Sequence, residues 1–346
     1  MTGDAPKPVL RGSAEAVDGR QQPESALPLP ARAWASSAVP EETAGHMSRG
    51  WTSREPIVIG NPIPAFEPRL ISEDYRRTPY RPDTVLDGWS AGEFSVRGGS
   101  VRGYLHRYEG APRQDDFALA ARAGGRQIIA AVADGVSQAR QSHIGSTTAV
   151  RYACQWLDRM HTEPADATDW KAMVEATAWT LIEQARAIDP DCADAAMAEQ
   201  MLATTLACAV VEAGIGGGVS AHVISIGDSG AWLLTDSGYK PVAGGKAETD
   251  GGISSSAVSG LPRIPRNVTA THVILAEGDV LLLGTDGFGD PMGGGDGPVG
   301  QLFAGLLRPG PPALTEFGHA LDFSRETFDD DRTLVAIWHT MPGTYP

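Results

Sequence analysis

Residues 127–135 read QIIAAVADG, an unbroken apolar run that stops at Asp134 and Gly135. A run this short, bounded by turn residues and rich in Ile and Val, is a deeply buried strand rather than one stripe of a helix. Ending it in Asp-Gly leaves a carboxylate at the rim of a core, where a lone charge is poorly solvated. The event recurs: Asp228 follows HVISIG, Asp286 follows VLLLGT, and Asp115 and Asp116 directly precede FALAA. One Asp-Gly is explained by a turn. Recurrence at strand ends asks for a compensating cation, and no Lys or Arg recurs beside these aspartates, so a hard divalent ion with oxygen ligands is the economical answer.

Outward from this strand, 117–122 pairs with 127–133 through a turn containing Gly124 and Gly125, and 94–101 is a further strand. Ile144, Thr148, Tyr152, Trp156 and Met160 recur at helical spacing, as do Trp170, Val174, Ala178, Leu181, Ala185 and Ile188. Strands return at 203–212, 220–226 and 231–236, separated by GIGGG and GDSG, which reads as an antiparallel meander. Residues 271–276 and 280–285 read as a hairpin around Glu277, Gly278 and Asp279. Short helices are expected near 299–307 and 313–321, and 333–339 is the closing strand. Strands and helices in blocks imply an α+β class rather than alternating βαβ units.

The head of the chain has a different composition. Residues 1–54 are rich in Pro, Ala, Ser and Glu without a sustained apolar period, the signature of a disordered tail. Residues 55–93 mix Pro with Ile, Phe, Tyr and Trp, which suits an extended strap or linker. The globular domain is expected over residues 94–340. A net charge of −15 and a pI near 4.9, with no basic stripe, repel nucleic acid and anionic membrane, so neither is an expected partner. No apolar run reaches membrane-spanning length, the start lacks a signal peptide's features, and three cysteines without metal-ligand spacing favour a reducing, cytoplasmic setting.

The motifs RQDDFAL, AAVADGV, ATTLACAVV, ISIGDSGAWLL, LLLGTDGFGD and DDDRTLVAI, in this order, resemble the metal-dependent serine/threonine protein phosphatases, the PPM or type 2C family, in a bacterial-type form. The resemblance covers about residues 94–340. It implies a sandwich of two antiparallel β-sheets flanked by helices, with two Mn2+ or Mg2+ ions at one edge. Carried over by motif, Asp134 bridges both ions, the Gly135 carbonyl binds one, and Asp286 and Asp330 bind the other. Asp115 supports the set through bound water, and Asp228 helps hold a third ion. The implied activity is hydrolysis of phosphoserine and phosphothreonine by a metal-activated water, on a phosphorylated protein substrate and in balance with a paired serine/threonine kinase. A pseudophosphatase that binds phosphoproteins, and a two-metal hydrolase of another phosphoester, are the alternatives. The absence of a GxSxG elbow, a CxxxxxR loop and a GxxxxGK[ST] loop fits a mechanism without a protein nucleophile.

The chain departs from the family at three places. Val136 stands where eukaryotic members have the DGHGG histidine, and His143 is a candidate proton donor in its stead or a solvated helix-start residue. Gln114 replaces a glutamate near the metals. Gly110 replaces a phosphate-binding arginine, for which Arg113 and His106 are substitutes within reach, although Arg113 is equally readable as a structural charge partner. The Gly/Ser-rich segment 244–265 lies where family members carry a flap, and is read as a substrate-selecting lid or a tolerated insertion.

Overall fold

In the computed structural model the residues described are 57–63, 81–160, 165–214, 217–245 and 260–339. The tail read over 1–54, most of the strap's Pro-rich part and the centre of the lid segment, 246–259, lie outside them.

Eleven strands form two antiparallel sheets. One sheet contains β1 (Thr84–Ala91), β2 (Phe94–Val101), β7 (Gly230–Thr235), β8 (Gly238–Gly244), β10 (Val280–Gly284) and β11 (Arg332–His339), in the order β1-β2-β11-β10-β7-β8. The other runs β3 (Asp116–Arg122), β4 (Gln127–Ala133), β5 (Leu206–Ala213), β6 (Val219–Ile226) and β9 (Thr271–Leu275). The inner faces meet in a dry layer that includes Ile128, Val132, Val211 and Val223 from one sheet and Leu281, Leu283, Val335 and Ile337 from the other. Each such side chain, fully removed from water, contributes about 1.5–3 kcal/mol. Gly98 is needed in this layer: a Cβ there would stand 2.3 Å from the Phe117 ring.

Helices cover both outer faces. The first, α1, is short (Tyr104–Glu109); α2 (Ser142–Met160), α3 (Trp170–Ile188) and α4 (Ala195–Leu202) pack on the five-stranded sheet. The helices α5 (Asp286–Met292), α6 (Pro298–Leu307) and α7 (Leu314–Leu321) pack on the six-stranded one through Phe288, Phe303, Phe317 and Leu321. The architecture is the expected α+β sandwich.

Four local expectations are corrected. Residues 84–91, read as strap, are the edge strand β1, registered along its whole length with β2. The expected hairpin of 271–276 with 280–285 is not one: β9 pairs with β6 and β10 with β7 and β11, so the turn at Glu277–Asp279 carries the chain from one sheet to the other. The same holds at 227–229, where β6 ends in one sheet and β7 begins in the other, so the meander stops at β5-β6. Both strands at each crossing bury residues in the same central layer, which a sheet-to-sheet turn satisfies as well as an in-sheet reversal. On α2, the residues turned to the sheet are the small Ala149, Val150, Ala153 and Cys154 with Leu157, while Ile144, Thr148, Tyr152 and Trp156 flank them half-buried. Small side chains let the helix approach closely: a Cβ on Gly145 would lie 2.1 Å from the Leu202 carbonyl oxygen.

Candidate active site

The carboxylates singled out in sequence come together at one edge of the sandwich. Asp115 precedes β3, Asp134 follows β4, Asp228 follows β6, Asp286 opens α5 just after β10, and Asp330 precedes β11. Asp134, Asp228 and Asp286 each offer an oxygen within 4.8 Å of the others. Asp286 and Asp330 share the lining of a cleft with Gly287, Asp290 and Phe328. A wider groove of about 840 Å³ leads away from Asp228 and Asp286 over Trp232, Tyr239 and Pro241.

Crowding is visible in the protonation of these groups. Asp134 is partly buried, and desolvation is the first cause lifting its pKa well above the usual carboxylate range; the charges of Asp115, Asp286 and Asp330 add to the rise. Asp115 is likewise raised well above that range, by burial and then by Asp331. Asp330 is raised too, by desolvation in the concave rim and then by Asp331. Mutual repulsion among oxygen donors, with no imidazole or thiolate in the trio, is the chemistry that a hard divalent cation relieves. The residues present fit such an ion.

Hydroxyls fix the main chain at Asp134 and the side chain of Asp115. Thr205 accepts the Asp134 amide on Oγ1 at 2.9 Å and donates its own amide to the Asp134 carbonyl at 2.8 Å, which Thr204 Oγ1 also reaches at 2.8 Å. The Thr205 and Ser229 hydroxyls are 2.6 Å apart, tying the strand after Asp134 to the turn after Asp228. Thr285 Oγ1 donates to Asp115 Oδ2 at 2.7 Å and accepts the Thr333 amide, while Thr333 Oγ1 donates to Ser100. Sequence reading missed this network because Ser and Thr at strand ends are common; the doublet in ATTLACAVV was the one available signal.

The acidic run 329–331 is sorted by burial. Asp331 is enclosed, accepts the main-chain N–H groups of Gly103, at 2.6 Å, and of Gln114, and forms an ion pair with the His106 imidazole. Asp330 remains about half exposed, toward the cleft. Two glycines permit the close approach: a Cβ on Gly103 would fall 2.2 Å from the Asp330 carbonyl carbon, and one on Gly287 1.8 Å from the Asp331 carbonyl oxygen. Burial disfavours the His106 imidazolium, yet the Asp331 carboxylate outweighs it and lifts His106 to about 9.

Two expected residues are placed otherwise. Arg113, offered as a phosphate ligand, is 1% exposed; its guanidinium donates to Ser100, to the Asp115 carbonyl and to the Pro82 carbonyl, and pairs with Asp116. It is the structural charge partner. Arg81, which the sequence reading did not single out, completes that network through Asp116 Oδ2 and Thr147 Oγ1. His143, offered as proton donor, is buried rather than solvated, and desolvation with the Arg81 charge lowers it to about 4, so it is neutral at neutral pH. Gly110 caps α1 at φ +76°, a conformation that favours glycine over the family's arginine. Gln114 is buried; its main-chain N–H donates to Asp331 and its main-chain carbonyl accepts from Ser146. Gly135 and Thr204 form an isolated bridge that leads Asp134 into the site. Near the C-terminal end of the expected lid, Leu261 exchanges two backbone hydrogen bonds with Thr204.

A sandwich of two antiparallel sheets between helices, with carboxylates gathered at one edge, defines a class, and comparison assigns it. The sequence profile of protein phosphatase 2C matches residues 102–311, more than half of the chain, and the chain belongs to that family. The match includes Asp115, Asp134, Asp228 and Asp286, whereas Asp330 lies beyond it. No curated protein matches in sequence. Among solved structures, the catalytic domain of the serine/threonine protein phosphatase PstP in complex with two manganese ions is 20% identical at a TM-score of 0.46, over 75% of this chain and 100% of that one. PstP/Ppp of Mycobacterium tuberculosis is 19% identical at 0.44, over 72% and 99%. PppA of Pseudomonas aeruginosa is 16% identical at 0.46, over 72% and 99%.

Proposed function

We propose that the chain is a Mn2+- or Mg2+-dependent protein phosphatase that hydrolyses phosphoserine and phosphothreonine. The observation that carries this reading is the convergence of Asp134, Asp228 and Asp286 within 4.8 Å, with Asp330 close enough for its charge to act on Asp134. Asp134, the Gly135 carbonyl, Asp286 and Asp330 would hold two ions, and Asp228 with its neighbours a third. Bound there, divalent ions supply Lewis-acid activation of water and neutralise charge on phosphoryl oxygens.

The protein's own residues position that centre. Thr204 and Thr205 fix the main chain at Asp134, Thr285 orients Asp115, and the His106–Asp331 pair holds the loop that presents Asp330. Among the described residues lining the cleft and groove there is no Lys or Arg, so the reading assigns phosphate binding to the cations. The groove of about 840 Å³ that adjoins Asp228 and Asp286 offers room for substrate beyond the phosphoryl group, as a phosphoprotein requires. A serine/threonine kinase is the implied counterpart. Three buried free cysteines suit a reducing cytoplasm. Among the described residues no helix is long and apolar enough to cross a membrane.

The test is turnover of phosphothreonine peptides and of a small aryl phosphate by purified protein with EDTA, Mg2+ and Mn2+ in parallel. The reading expects metal-dependent release of phosphate from the peptides. Absence of turnover under every condition would leave a phosphoprotein-binding role in its place, and turnover of the small ester alone would move the substrate class.

A further inference from the structure

We propose that His222 and His272 form a surface site for a borderline divalent cation, of the Zn2+, Ni2+ or Cu2+ kind, separate from the carboxylate cluster. His222 lies on β6 and His272 directly opposite on β9, the edge strand of the five-stranded sheet. Directly opposed residues of an antiparallel pair share a face, with Cβ atoms about 4.5–5.5 Å apart. The two ring centroids are 4.8 Å apart at an interplanar angle of 50°, so the imidazoles are close neighbours, tilted rather than stacked flat. Among the described residues no hydrogen bond or ion pair engages either ring. His272 is exposed and His222 partly so, which leaves the pair open to an ion from solvent.

The surroundings suit a cation. Glu212 on β5 faces Ser220, two residues before His222 on the same face of β6, and both Glu212 and Asp166 act on His222 with negative charge. Partial burial, then the neighbouring His272, lowers the His222 pKa below its ordinary value, which favours the neutral, ligating imidazole. The donor type separates the two sites: carboxylate oxygens select Mg2+ and Mn2+, whereas imidazole selects later first-row metals by the Irving–Williams order. An ion shared between the strands would also pin edge strand β9 to β6. That strand receives the chain from the segment anchored at Leu261 to Thr204.

The experiment adds one equivalent of Cu2+ to the full chain in excess Mg2+, which saturates the carboxylates, and records its electron paramagnetic resonance spectrum. The proposal expects hyperfine coupling to two imidazole nitrogens, loss of that pattern in His222→Gln and in His272→Gln, and its retention in Asp286→Asn. A rise in melting temperature with Zn2+ under the same excess of Mg2+ should be lost in the two histidine variants and kept in the aspartate one. The exposed position of His272 makes its variant decisive should His222→Gln fold poorly. A copper spectrum unchanged in His272→Gln, or one abolished in Asp286→Asn, overturns the proposal. Neither result bears on whether the carboxylate edge supports phosphatase turnover.

Discussion

Nδ1 of His106 stands 3.0 Å from Oδ1 of Asp331, and this pair decides which of three consecutive aspartates can serve the cleft. With Asp331 drawn inward by an imidazolium and two amides, its predecessor Asp330 points outward beside Asp286. The two residues should therefore fail differently. Asp331→Asn removes the carboxylate that keeps His106 charged and leaves buried donors short of an acceptor, a loss of about 1–3 kcal/mol, and its melting temperature should fall by several degrees. Asp330→Asn should melt close to wild type yet lose about 10² in kcat, the equivalent of about 2.7 kcal/mol of transition-state stabilisation. Thermal melts and steady-state kinetics on both variants check this, and a fully active Asp330→Asn would remove that residue from the metal-binding set.

Carboxylates that raise one another's pKa are a store of repulsion that a cation releases. Mn2+ should stabilise the fold by mass action, by about 2.7 kcal/mol at a hundredfold excess over its Kd, and EDTA should reverse the gain. Asp286→Asn should reduce it. Differential scanning calorimetry across a Mn2+ titration makes the measurement, and a flat melting temperature into the millimolar range would count against any ion at this edge.

Nine of the eleven strands were legible, most of them as apolar runs bounded by glycine or aspartate, and the carboxylate set because those aspartates fall at strand ends; β1 and β8 were not read. Sheet membership was not legible. The turns at 227–229 and 277–279 have the same composition whether the chain reverses within a sheet or crosses to the facing one, and the choice is made by pairing with strands distant in the chain, β9 with β6 and β10 with β7 and β11. The β1 strand, TVLDGWSA, was hidden by half-buried alternation and a Pro-rich approach. Burial of Arg113 and His143 was equally hidden, since it depends on Arg81, Ser100 and α2 arriving from distant parts of the chain.

His143 gives a pH signature. Its folded-state pKa of about 4 lies below the ordinary value of about 6.5, so the unfolded chain binds the proton first as pH falls. Stability from this group is complete above about pH 6.5 and is lost progressively toward pH 4, by about 2 kcal/mol between pH 7 and pH 5. His143→Gln should lack that component. Denaturant unfolding of both proteins at the two pH values isolates it, because the aspartates titrate in each; parallel pH dependences would mean that the imidazole is charged in the fold.

Gly287 follows Asp286 at the start of α5, and its missing side chain is where the Asp331 carbonyl passes. A Cβ there would meet that oxygen at 1.8 Å. The obstacle is main chain, so relief requires moving α5 away from the 329–331 loop, and with it Asp286 away from Asp330. Gly287→Ala should cost about 1–3 kcal/mol as an overpacked contact and, by displacing ligating groups on the ångström scale, about 10² in turnover. Gly305, inside α6, where a Cβ would meet nothing within 4 Å, is the matched control. There alanine should stabilise by up to about 1 kcal/mol through helix propensity, with turnover unchanged. Measuring melting temperature and kcat for both variants separates a helix-propensity effect from a positional one. Equal behaviour of the two alanines would mean that the approach of α5 to the acidic loop has no part in forming the site.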